Sequence, residues 1–149
     1  MGCRDTNTVG YAFTIGDDGY AMFETPTDWD SSTAISVHFH VYVDEDFDVT
    51  GAEMRFQATY SCIPEDGSEA IDGATHTGTL DSGDVNIPST AKGLLEIDMG
   101  ELANVASHDS IHLKISRIAI NDGTEVSAEP IITQAEYSYY ANKLGEDVT

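Results

Sequence analysis

Basic side chains are scarce in this sequence: six Lys and Arg stand against 27 Asp and Glu in 149 residues, for a formal net charge of −21. Arg4, Arg55, Lys92, Lys114, Arg117 and Lys143 are scattered and make no stripe able to follow a phosphate backbone. A field this negative repels polyanions, which argues against binding nucleic acid or an anionic membrane surface. Cysteine is nearly absent. Cys3 and Cys62 allow one bridge at most; both read as free thiols, with Cys62 facing inward, and the pair says nothing about redox compartment. No apolar run reaches the roughly eighteen residues of a membrane span. Met1–Asp5 does not lead into the apolar region of a signal peptide, so export on its own Sec signal is not expected.

Motifs for hydrolysis and phosphate binding are also missing. There is no Gly-x-Ser-x-Gly elbow and no phosphate-cradling glycine loop. Ser107-His108-Asp109 is contiguous, whereas triads assemble from separate segments. Carboxylates are too numerous for a glycosidase pair to be located among them.

The dominant pattern present is a period of two. Val9, Tyr11, Phe13 and Ile15 alternate with small and polar residues, and Gly16–Gly19 then turns the chain into Tyr20–Phe23. Ile35, Val37, Phe39, Val41 and Val43 alternate with Ser36, His38, His40 and Tyr42. Met54, Phe56, Ala58, Tyr60 and Cys62 repeat the pattern before the turn Pro64-Glu65-Asp66-Gly67. Further strands are expected at Ala74–Leu80, Leu94–Met99, Ile111–Ile115 and Ile131–Tyr139, with one short helical turn at Glu101–Ala106 and a hairpin-like turn at Asn121-Asp122-Gly123. About eight strands without a long helix predict one all-β domain over 1–149, an antiparallel β-sandwich of jelly-roll type. Its tails, 1–7 and 143–149, are expected to be flexible or ordered at an interface. The inner faces are expected from Val9/Tyr11/Phe13, Val37/Phe39/Val41, Met54/Phe56/Tyr60, Leu95/Ile97 and Ile111/Leu113/Ile115.

His38 and His40 share one strand face, about 6.6–6.8 Å apart, and alternation puts that face opposite the core. His38-x-His40-x4-Glu45-x5-Gly51 is similar to the first cupin motif, which implies a metal held by His38, His40 and Glu45 inside a small barrel. Gly83–Pro88 resembles part of the second motif, but no histidine follows Pro88 at the family's spacing, and His76 and His108 stand elsewhere. Asp44, Asp46 and Asp48 imitate the start of a calcium loop, yet Val49 and Arg55 occupy the places where an EF-hand needs Gly and Glu. A looser Ca²⁺ site in the acidic loops Asp44–Asp48 or Asp81–Asp84 stays open; otherwise no cofactor is expected. Trp29 with Tyr11, Tyr20, Tyr42, Tyr137, Tyr139 and Tyr140 could stack on sugars, or fill the core and a subunit interface.

The final third, from Gly100 to Leu144, carries Asp109-Ser110-Ile111-His112-Leu113-Lys114-Ile115-Ser116-Arg117, then Asn121-Asp122-Gly123, then Ile131 to Tyr137. It resembles the end of β-sandwich virion proteins of tailed viruses, and Tyr11, Phe13, Pro26, Trp29 and Asp30 resemble their opening. That resemblance implies a non-enzymatic role at the virion surface: capsid decoration, cement or a fibre head. It implies a homo-oligomer, most often a trimer, with capsid or tail proteins as partners and assembly in the host cytoplasm. The acidic surface favours solubility in brine or seawater, where salt screens its self-repulsion.

Overall fold

A computed structural model describes residues 10–44 and 51–141. Cys3, Val9, Glu45, Asp46, Asp48 and both expected tails lie outside these residues. The strands are β1 (Tyr11–Ala12), β2 (Asp18–Glu24), β3 (Ile35–Val43), β4 (Ala52–Pro64), β5 (His76–Asp81), β6 (Val85–Asn86), β7 (Leu95–Leu102), β8 (Asp109–Ile118), β9 (Thr124–Glu125) and β10 (Pro130–Ser138). One sheet has the order β1-β10-β3-β7 and the other β2-β8-β4-β5, with β6 and β9 added to β4. The chain crosses between sheets from β1 to β2, β2 to β3, β3 to β4 and β7 to β8, while β4 and β5 stay paired in one sheet, the wrapped connectivity of a jelly roll. The all-β sandwich read from the sequence is what forms.

Alternation explains the core. β3 sends Ile35, Val37, Phe39, Val41 and Val43 inward, and β4 answers with Met54, Phe56, Ala58, Tyr60 and Cys62. Phe56 packs perpendicular to two rings, Phe13 at 6.2 Å and Phe39 at 6.3 Å between centroids. Such edge-to-face contacts add to the burial of large apolar surface and tie the sheets together. Ile111, Leu113 and Ile115 of β8 and Ile97 of β7 complete the layer.

Alternation breaks at a sheet crossing and at a bulge. Tyr11 is 54% exposed, and its neighbours Ala12 and Phe13 are both buried. Ala12 belongs to a small cluster with Tyr42 and Ile131, apart from the main core that holds Phe13. Here the chain leaves the β1 sheet and crosses to the β2 sheet, so strict alternation cannot persist. In β10 a bulge between Ile132 and Gln134 shifts the register. Ile132 therefore joins the main core beside Ala135 and Tyr137, while Ile131 joins the small cluster.

No helical turn forms at Glu101–Ala106. Glu101 and Leu102 finish β7, and the Tyr60 hydroxyl accepts a hydrogen bond from the Ala103 amide at 2.9 Å. Asn121-Asp122-Gly123 does turn the chain, with Gly123 at φ +103°. It leads into β9, which pairs in parallel with β4, so the turn closes no hairpin.

Candidate functional site

The outer face of the first sheet carries two histidines. β3 projects His38 and His40 away from the core, as alternation requires, with side chains 17% and 21% exposed. Their neighbours come from the flanking strands: His40 stands opposite Glu96 of β7, and His38 opposite Glu136 of β10. His40 Nε2 lies 3.2 Å from Glu136 Oε1 and 3.5 Å from Glu96 Oε2. His38 Nδ1 is 3.8 Å from the other Glu96 oxygen, and His38 Nε2 is 3.2 Å from Ser138 Oγ.

The cupin resemblance implied ligands inside a barrel. These imidazoles face outward instead, and the carboxylates they meet are Glu96 and Glu136. Glu45 is outside the described residues. Sequence spacing pointed to the two histidines but could not find their partners, which arrive through strand pairing from distant parts of the chain.

A second feature lies along the open side of the sandwich. Among the described residues, β2 is an edge strand paired with β8 alone, and β10 beyond Ile132 is paired with β3 alone. Between these two edges runs a groove of about 330 Å³ lined by Tyr11 and Phe13, Gly19–Ala21, Ile115, and residues 132–135. Among the described residues no lining side chain carries a charge, although charged residues make up 22% of the chain. Tyr11, Ile15, Tyr20 and Met22 are each more than half exposed beside it. Phe23 of β2 stacks on Tyr137 of β10 with centroids 4.2 Å apart, bridging the two sheets on this side.

The remaining candidates resolve plainly. Trp29 is a core residue, Tyr42 is buried, and Tyr137 and Tyr139 stack against one another. Tyr139 also donates to Asp28 Oδ1 at 2.9 Å. A sugar platform centred on Trp29 is therefore not built; Tyr11, Tyr20 and Tyr140 alone of that set are strongly exposed. In the Asp81–Asp84 loop the Arg55 guanidinium donates to both Asp81 oxygens, at 2.8 and 2.6 Å, and lies 3.7 Å from Asp84. That pairing holds the Asp81 carboxyl below its usual range and supplies the charge that a bound cation would bring. Asp44 pairs with Lys92 at 3.3 Å; the rest of its loop lies outside the described residues. Ser107 and His108 are exposed, and Asp109 is buried with its carboxylate accepting from the Ala106 amide, so these three make no relay. Cys62 is a free, fully buried thiol, facing inward as read.

Among the described residues no helix is long and apolar enough to cross a membrane. No family model, curated protein or solved structure matches this chain. The jelly-roll fold is thus established by the strand order alone. Fold does not fix function, since capsid proteins, lectins and cupins all share this architecture.

Proposed function

We propose that this chain is a non-enzymatic structural protein that works through protein–protein contacts in a symmetric oligomer. The observation carrying the reading is the uncharged groove beside the β2 edge, which has no partner there among the described residues. Copies of a protein with a net charge of −21 repel one another. Close approach requires a contact poor in carboxylates, and the described lining of this groove carries none; Glu136 enters only where the seam continues past it. An unpaired strand edge also offers backbone donors and acceptors to a neighbour. A second copy of the chain is the occupant we assign to it.

The particular setting we propose is the virion surface, as a capsid decoration or cement protein or a fibre-head subunit, with a closed trimer as the oligomer. This rests on the resemblance of the final third to tailed-virus virion proteins, together with the jelly-roll fold that such proteins share with others. Capsid or tail proteins are the further partners under this reading.

Sedimentation equilibrium of the purified full chain in molar salt tests it. A trimer is expected at micromolar concentration. A monomer across the accessible concentration range would remove the self-association on which the reading depends.

A further inference from the structure

We propose that His40, Glu96 and Glu136 form a site for one zinc-type divalent ion on the outer face of the β10-β3-β7 sheet. The three ligand groups come from three adjacent strands, and their donor atoms all lie within 4.8 Å of one another. Zinc bonded at about 2.0–2.1 Å to ligands in a tetrahedral array holds those ligand atoms about 3.3–3.4 Å apart. His40 Nε2 stands 3.2 Å from Glu136 Oε1 and 3.5 Å from Glu96 Oε2, on either side of that separation.

The imidazole supplies the second observation. His40 Nε2 is shielded from solvent, yet it has no aligned hydrogen-bond partner, although two carboxylates lie beside it. Burying such an atom without a partner costs free energy. An ion lying between the three groups would remove that cost by taking the nitrogen lone pair.

A neighbouring side chain holds the Glu136 carboxylate from its other oxygen. Gln134 Nε2 donates to Glu136 Oε2 at 3.0 Å, leaving Oε1 for His40. His38 Nδ1 lies 3.8 Å from Glu96 Oε1, beyond hydrogen-bond reach, and Ser138 contacts the far nitrogen of His38. Outer groups that orient ligands in this way are characteristic of metal sites. Here Gln134 is the positioning residue.

The donor set selects the ion. Ca²⁺ and Mg²⁺ are held by oxygen ligands, whereas an imidazole with two carboxylates suits zinc and its first-row neighbours. Three protein ligands leave a coordination position for water. The surrounding negative field concentrates dications. The inference is independent of the oligomer proposed above, so neither stands or falls with the other.

The test is a calorimetric titration of chelator-treated full-length protein with Zn²⁺, for the wild type and for Glu96→Gln and Glu136→Gln. Both substitutions keep side-chain volume on a surface strand, and circular dichroism checks the fold. One ion per chain is expected, with each variant weakened by more than the 10–100-fold that outer-group changes typically cost. Equal affinity in wild type and variants, or no binding by the folded wild type, overturns the site. X-ray absorption of the zinc-loaded wild type gives a check that needs no variant. One imidazole per zinc is expected, and a shell of oxygen alone overturns the assignment.

Discussion

The Arg117 guanidinium donates a hydrogen bond to the Phe13 carbonyl at 3.0 Å, tying β8 to the point where the chain crosses between sheets. Arg117 is only 4% exposed. It also donates to the carbonyls of Val126 and Ala128 and forms an ion pair with Glu125 at 2.9 Å. Glu125 in turn accepts from the Ile120 amide. One basic side chain thus organises β8, β9 and the β1–β2 crossing.

Replacing Arg117 with Met leaves those carbonyls and the Glu125 carboxylate without their donor. Breaking a buried pair from one side typically costs about 3–5 kcal/mol. The partial exposure of Glu125 places the expectation for Arg117→Met near the lower end, about 3 kcal/mol. Urea unfolding measures it. A loss well below 1 kcal/mol would show that water replaces the guanidinium readily.

Phe39 and His40 are adjacent on β3 but face opposite ways. Phe39→Ala removes a fully buried ring from its contact with Phe56 and should cost about 3–5 kcal/mol. His40→Ala acts on the outer face and should cost under about 1 kcal/mol in metal-free protein. Comparable losses at the two positions, measured by thermal unfolding without added zinc, would contradict the assigned faces.

Burial pushes the Cys62 thiol up to about 11, with the Asp109 charge contributing, from an ordinary value of 9.0. A raised thiol value means that the folded state favours the neutral form. Its contribution to stability is fully present below about pH 9 and is lost as pH rises toward 11. The native thiol should therefore resist alkylation at pH 8 and react only after unfolding. Mass spectrometry resolves Cys62 from Cys3. Rapid native labelling of Cys62 would show that the β4 core opens far more often than its packing implies.

Much of the fold was legible because β3, β4 and β8 each have one face in the core and one outside, which writes a period of two into the sequence. The place of Tyr11, expected inside and found exposed, and the split of Ile131 from Ile132 were not legible for a physical reason. A sheet crossing and a bulge reset the alternation, and both depend on partners in other strands. The candidate metal site was half legible. His38 and His40 are close in sequence, so spacing found them, but Glu96 and Glu136 meet them only through pairing with β7 and β10. Arg117 carried no local signal at all, since its charge is met by carbonyls and a carboxylate that folding brings together.

The central claim is association through the seam between β2 and β10. It is tested most directly by comparing wild type with Tyr20→Glu and Met22→Glu in sedimentation velocity, from low to molar salt. Tyr20 and Met22 are 76% and 71% exposed, so neither change disturbs the core. Salt shortens the Debye length from about 30 Å at 0.01 M to 3 Å at 1 M, which weakens repulsion between acidic copies. The wild type should therefore assemble more completely as salt rises, while both variants stay monomeric at every salt concentration with unchanged circular dichroism. Variants that assemble as the wild type does, or a wild type whose assembly ignores salt, would contradict the account.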